Sequence, residues 1–157
     1  GKLLPNVTEI LELIKQYDMT LATGHISVPE IFALLKEARA VGVTRLVVNH
    51  PLSVTFGSRA TIEEQKRIAA EGAFIEHCFI ATLPSSDRLP PVRIAEAVRA
   101  VDADSCILST DFGQLLNPTP VEGMRMYIQT MLHCGITEDE IVRMVRINPA
   151  RVLGLPE

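Results

Sequence analysis

Four short segments of this sequence end in side chains that can bind metal ions or move protons. His25 ends "MTLATGH", His50 ends "RLVVNH", Glu76 and His77 lie within "AFIEHC", and Asp111 ends "CILSTD". Three of the four histidines of the chain fall in this set, a concentration that random placement would rarely give. Neutral imidazoles and carboxylates suit a divalent cation, with zinc first and manganese, nickel or iron as alternatives. The set therefore predicts a divalent metal site.

Each of these residues also has an ordinary structural explanation. A single histidine after a strand is often a helix cap or a hydrogen-bonded loop residue, and aspartate is favoured in turns. Glu76 and His77 are neighbours, so strand alternation sends them to opposite faces and only one can face the site. We favour Glu76 and expect His77 to pack beneath a helix, which disfavours a nucleophilic pair with Cys78. His133 falls in a predicted helix, where we expect a structural role.

The residues between these segments indicate helices that alternate with strands. Apolar positions at helical spacing follow each segment, and two capping boxes, Ser27–Glu30 and Thr61–Glu64, predict helix starts. The four segments themselves are continuous apolar runs, which is typical of a parallel sheet buried on both faces. The pattern predicts a single α/β domain over residues 1–157, with four consecutive βα units and further helices at the C-terminal end.

Parallel strands joined by helices form either an open doubly wound sheet or part of a (β/α)8 barrel, and the pattern alone does not choose. In both folds the carboxyl ends of the strands form the rim that binds ligands. A complete barrel usually takes about 250 residues, whereas this chain of 157 has room for four strands. A barrel here would therefore be half of one.

The composition limits the partners that we expect. The chain carries a net charge of -4, and only 4% of its residues are aromatic, so we expect no nucleic-acid partner. No apolar run approaches the roughly 20 residues of a membrane span, so we expect no membrane partner and a cytoplasmic protein. The three cysteines are odd in number, far apart and without a CxxC motif, which favours reduced structural thiols.

Taken in order, the four segments resemble the amidohydrolase superfamily of metal-dependent hydrolases. "LATGH", "LVVNH", "AFIEHC" and "ILSTD" are similar to the ends of the fifth to eighth barrel strands, and "INPARVLGL" (Ile147–Leu155) is similar to the ending of that family. The resemblance implies a (β/α)8 barrel with one or two metals at its rim. It covers the C-terminal half of the barrel only, because the H-x-H pair of the family's first strand does not occur here.

The resemblance implies hydrolysis of an amide, an ester or lactone, or a phosphoester bond in a small molecule. His25, His50 and Asp111 would be metal ligands, and Asp111 would also act as general base and then as general acid. Glu76 is a candidate for contact with the substrate or with a ligand. Arg59 and Arg88 lie in long polar loops above the rim, where they are candidate anion contacts, with solvated loop charges as the alternative.

Half a barrel would leave two unpaired sheet edges and an uncovered apolar face, and both favour association. We therefore expect a homo-oligomer or a partnership with a missing N-terminal half-barrel. Two other interpretations stay open. One is a noncatalytic half-barrel fragment or self-associating α/β module. The other is an open doubly wound binding domain, although no glycine-rich phosphate loop supports it.

Overall fold

The computed structural model describes residues 3–156, in which helices pack around one four-stranded parallel sheet. The strands lie in sequential order and are β1 (Leu21–Ala22), β2 (Leu46–Asn49), β3 (Phe74–Cys78) and β4 (Cys106–Ser109). The helices are α1 (Pro5–Gln16), α2 (Val28–Val41), α3 (Ile62–Ala70), α4 (Pro91–Val101), α5 (Pro120–His133), α6 (Glu138–Val142) and α7 (Asn148–Leu153). The predicted α/β class, with four consecutive βα units and further C-terminal helices, is confirmed.

Side-chain caps fix where several helices begin. The Thr61 hydroxyl accepts a hydrogen bond from the Glu64 N–H at 3.2 Å, and Glu64 Oε2 accepts one from the Thr61 N–H at 2.7 Å. The Thr61 backbone N–H, and after it the Thr61 hydroxyl, donate to the Glu64 carboxylate and lower its pKa. A further capping box, Thr137–Glu140 at the start of α6, was not among the sequence predictions. Each cap satisfies backbone N–H groups that the first helical turn leaves free.

The helices of the C-terminal region follow one another directly. They are α6, a π-helical turn (Arg143–Ile147) and α7. The Asn148 side chain donates to the carbonyl oxygens of Ala103 and Cys106, both at 2.7 Å. The buried Asn148 thus fastens α7 to the start of β4.

Strand alternation divides the sheet into two faces. One face packs against α2 to α5 and forms the main core, to which β2 contributes Leu46 and Val48. The opposite face carries a small cluster of Val47, Ile107 and Val152, of which Val152 comes from α7. On this second face the sheet lines an open groove of about 600 Å³. We call it the sheet groove, and it is incompletely covered for a parallel sheet, which is normally buried on both faces.

Both edges of the sheet lack a neighbouring strand within residues 3–156. In this part of the chain β1 pairs only with β2, and β4 pairs only with β3. Among the described residues, no helix is both long and apolar enough to cross a membrane.

Candidate functional site

Three of the predicted site residues lie together at the carboxyl ends of the strands. His50 Nε2 is 3.8 Å from Asp111 Oδ2, and the rings of His25 and His50 meet edge to face with 5.2 Å between their centroids. We call these three residues the rim cluster. They follow β2, β4 and β1 respectively, so the parallel sheet brings side chains together that are far apart in sequence.

The backbone is strained at two positions of the rim cluster. His50 has φ of 49° and Asp111 has φ of 53°, both in the left-handed region that L-residues rarely adopt. Hydrogen bonds hold the chain on either side: the Ser53 N–H donates to the His50 carbonyl, and the Ile80 N–H donates to the Thr110 carbonyl, each at 3.1 Å. Backbone strain of this kind concentrates at functional sites, which supports a role for both residues.

The rim cluster is open to solvent on one side. The His50 side chain is only 10% exposed, whereas the Asp111 side chain is 43% exposed and His25 is also exposed. A small molecule can therefore reach the aspartate and the outer histidine, while His50 is packed beneath them.

Glu76 and His77 take opposite faces of β3. Glu76 lines the sheet groove, where the Asn49 side-chain amide donates to its Oε2. His77 is 2% exposed on the helix side, and burial lowers its pKa to about 4. Its backbone carbonyl accepts a hydrogen bond from the Tyr127 hydroxyl at 3.2 Å, while its own Nε2 has no partner within the described residues. A neutral, buried imidazole is a core residue rather than a rim ligand.

The two arginines serve the loops that carry them. The Arg59 guanidinium donates to the Val54 carbonyl at 3.0 and 3.3 Å, and Arg88 Nε donates to the Pro84 carbonyl at 3.1 Å. Both side chains are exposed, and both residues have positive φ. They lie in the loops after β2 and β3 respectively.

Cys78, next to His77, is not an activated nucleophile. Burial raises the pKa of its thiol, and the negative charges of Glu76 and Asp111 raise it further. Its Sγ lies 3.1 Å from the Ser109 hydroxyl. The thiol therefore stays protonated at neutral pH, which agrees with the sequence argument against a pair with His77.

Hydrogen bonds connect two rim loops, and this connection was not predicted from the sequence. Asp87, after β3, accepts hydrogen bonds from the Ser53 hydroxyl and from the N–H and hydroxyl of Thr55, which follow β2. Burial alone would raise the pKa of Asp87, but these hydrogen bonds lower it overall. The connection fixes the loop that carries Phe56, whose ring centroid lies 6.1 Å from that of His25. An aspartate in a polar, proline-rich loop was the available signal.

Asn49 also has a role that was not predicted from the sequence. It lies at the end of β2, immediately before His50, and its Oδ1 accepts a hydrogen bond from the Gly24 N–H at 2.9 Å. The same side chain donates to Glu76, so it links three strands just below the rim cluster. An asparagine at the end of an apolar run was the only sign in the sequence.

The rim cluster has side chains of the types that bind divalent cations, but within the described residues they are not grouped closely enough to hold one. Two imidazoles and a carboxylate are typical zinc ligands, and donors on one tetrahedral zinc lie roughly 3.3 Å apart, given bonds of about 2.0 to 2.2 Å. The 3.8 Å between His50 and Asp111 is close to that separation. However, no three His, Cys, Asp or Glu side chains in residues 3–156 are grouped so that they could hold a metal ion.

The first half of the sequence matches a known family profile. Residues 1–76 match the profile of a family described as "Family of unknown function (DUF6282)". No curated protein matches the sequence.

Solved structures match nearly the whole chain at low sequence identity. N-acetyl-D-glucosamine-6-phosphate deacetylase from Mycobacterium smegmatis matches with a TM-score of 0.64 and 18% identity, over 95% of this chain and 42% of that one. A phosphotriesterase homology protein from Escherichia coli, with phosphate in its active site, matches with a TM-score of 0.68 and 18% identity, over 96% and 55%. An amidohydrolase from Burkholderia multivorans with bound zinc matches with a TM-score of 0.64 and 13% identity, over 98% and 58%.

These similarities show a shared fold. The chain spans about half the length of the solved structures that it matches. Its four βα units therefore have the fold of part of a TIM-type barrel, in agreement with the predicted α/β fold class.

Proposed function

We propose that this chain carries one half of a metal-dependent hydrolase centre. His25 and His50 would bind a divalent cation, most simply zinc, and Asp111 would complete the set from this chain. The solved amidohydrolase structure from Burkholderia multivorans contains zinc, which supports that choice of metal. The observation that carries the proposal is the convergence of these three residues on one rim, with His50 and Asp111 3.8 Å apart.

Each residue of the rim cluster has a distinct task in this proposal. A bound cation supplies a Lewis acid, which polarises the oxygen of the scissile bond and makes water a better nucleophile. The Asp111 side chain is 43% exposed, so its carboxylate would be able to accept the proton of an attacking water and return it to the leaving group. His50, packed against Asp111, keeps that carboxylate in place.

Further ligands have to come from outside the described residues. The three donors of the rim cluster fall short of a grouped site, the sheet groove is open, and both sheet edges lack a neighbouring strand within residues 3–156. Leu115 and Leu116, in the loop after β4, are 97% and 93% exposed, as expected for a surface that another barrel segment covers. We propose that a second half-barrel completes the site. It would be an N-terminal half-barrel or a second copy of this chain.

The proposed substrate is a small molecule with an amide, ester or lactone, or phosphoester bond. Arg59 and Arg88 flank the rim from two loops and would contact an anionic group, and Glu76 would act from the sheet groove. The cysteines Cys78, Cys106 and Cys134 are free, which is the state expected of a protein of the reducing cytoplasm.

The test is hydrolysis by the purified protein with carboxylic ester, lactone, amide and phosphoester substrates, before and after zinc is added. We expect zinc-dependent turnover of one substrate class. The rate per mole of protein should rise with protein concentration, because association completes the site. Asp111→Asn should abolish it, whereas Asp104→Asn, at an exposed aspartate in the turn before β4, should not. Turnover that survives in Asp111→Asn, or none with any substrate, would refute the proposal.

A further inference from the structure

We propose that Asn49 is a positioning residue that sets the relative placement of His25 and His50. The Asn49 amide accepts a hydrogen bond from the Gly24 N–H, next to His25, and donates one to the Glu76 carboxylate. Its effect on metal binding rests on the proposed function, but its hydrogen bonds can be tested independently. The unit formed by Gly24, Asn49 and Glu76 is called the amide relay below.

The amide relay takes over where backbone pairing between β1 and β2 stops. β1 has two residues, and its last ladder contact is the Thr23 N–H to the Val47 carbonyl at 2.9 Å. At Gly24 the chain turns away with φ of 64°, a conformation that glycine adopts without strain. The Gly24 N–H would then lack a backbone acceptor, and Asn49 Oδ1 supplies one at 2.9 Å.

The partners allow only one orientation of the Asn49 amide. A backbone N–H can only donate, so it requires the amide oxygen, and an ionised carboxylate can only accept, so it requires the amide nitrogen. Strand register places Asn49 directly beside Glu76, and both side chains line the sheet groove. The carboxylate therefore fixes which atom of Asn49 faces β1.

Glu76 also holds the backbone of His50. The His50 N–H donates to the Glu76 carbonyl at 3.2 Å, so Glu76 holds the backbone of His50 and the side chain of its neighbour. Through Gly24 the relay reaches His25, whose ring lies 5.2 Å from that of His50. Groups that orient metal ligands typically change metal affinity about 10-fold to 100-fold when they are lost.

Three variants separate a relay from a merely polar surface. Asn49→Asp keeps an acceptor for the Gly24 N–H but loses the donor to Glu76, and repulsion between the two carboxylates pushes the side chain out of place and weakens the bond from Gly24. Glu76→Gln leaves an amide oxygen that still accepts from Asn49. Asn49→Asp combined with Glu76→Gln restores a donor opposite an acceptor, with the roles exchanged. The pattern expected is disruption by the first variant, little change with the second and rescue in the combination.

The direct readout is hydrogen exchange of the Gly24 amide by NMR without metal, beside thermal unfolding of each variant. We expect Gly24 exchange about five-fold to ten-fold faster in Asn49→Asp, because the displaced carboxylate holds the Gly24 N–H less well, and wild-type protection in the combined variant. If Asn49→Asp does not fold, a folded combined variant supports the amide relay, and a combined variant that also fails overturns it. Unchanged Gly24 exchange in folded Asn49→Asp overturns it too.

Zinc affinity then tests the positioning role. We expect a dissociation constant about ten-fold higher in Asn49→Asp and within about three-fold of wild type in the combined variant. Zinc affinity that stays unchanged while Gly24 exchange accelerates would overturn the positioning role. Faster Gly24 exchange in a protein that binds no zinc in any form would support the amide relay and contradict the proposed function instead.

Discussion

Replacing Gly123 with alanine should destabilise the protein and displace the loop that carries Asp111. Gly123 is buried in the first turn of α5, where an added Cβ would lie 2.4 Å from Phe112 Cδ2 and 2.6 Å from Phe112 Cε2. Phe112 is 5% exposed, and its ring faces Phe79 with 5.8 Å between centroids. The aromatic ring therefore has little room to retreat, and the backbone next to Asp111 has to move.

The magnitude follows from two opposing effects. Alanine is the better helix former by about 1 kcal/mol, whereas overpacking a core typically costs about 1 to 3 kcal/mol. With an approach as close as 2.4 Å to a buried ring, we expect the upper part of that range, and a net loss of about 1 to 2 kcal/mol in the free energy of unfolding. For a chain of 157 residues this lowers Tm by about 3 to 6 °C.

The assay is urea unfolding of Gly123→Ala, with Gly113→Ala as the matched control. Gly113 lies in the same loop, is exposed, has no positive φ, and has no atom within 4 Å of an added Cβ. Its alanine variant should stay within about 0.5 kcal/mol of wild type. A Gly123→Ala protein as stable as the Gly113→Ala control would refute this account of the packing behind Asp111.

Two further predictions concern buried and half-buried titratable groups. Burial lowers the pKa of His77 to about 4 from its ordinary 6.5, so only the unfolded chain takes up a proton between these values. Stability should therefore fall by roughly 3 kcal/mol as pH drops from 6.5 to 4, and urea unfolding should show a shallower fall in His77→Leu; equal pH slopes would contradict this. Asp87→Ala should lower the free energy of unfolding by about 1 to 2 kcal/mol, because the hydrogen bonds from Ser53 and Thr55 are lost. It should also speed proteolytic cleavage within residues 51–60. Unchanged cleavage would argue against the loop connection.

The strands and the rim cluster could be predicted because both depend on local sequence. Continuous apolar runs mark β2, β3 and β4 within a residue or two, and a histidine or an aspartate follows three of the four strands within three residues. β1 is shorter than the run Met19–Thr23 that predicted it. It lies at a sheet edge with a strand on one side only. Next to it, the Thr20 hydroxyl donates to the Val152 carbonyl of α7 at 2.6 Å.

The amide relay and the loop connection could not be predicted because they depend on register and on loop conformation. Asn49 meets Glu76 only because β2 and β3 pair with these two residues side by side, and a shift of one residue would send one of them to the other face. Asp87 meets Ser53 across two loops, whose conformations no periodic pattern describes. Contacts between residues distant in sequence require the tertiary structure.

Zinc binding by histidine variants tests the central claim most directly. Isothermal titration with zinc compares wild type, His25→Ala, His50→Ala and, as control, His133→Ala, whose exposed side chain lies at the end of α5. We expect zinc affinity to fall at least about ten-fold in both rim variants and to remain unchanged in His133→Ala. Equal affinity in all four proteins, or an effect confined to His133→Ala, would contradict the assignment of the rim cluster as a metal-binding site.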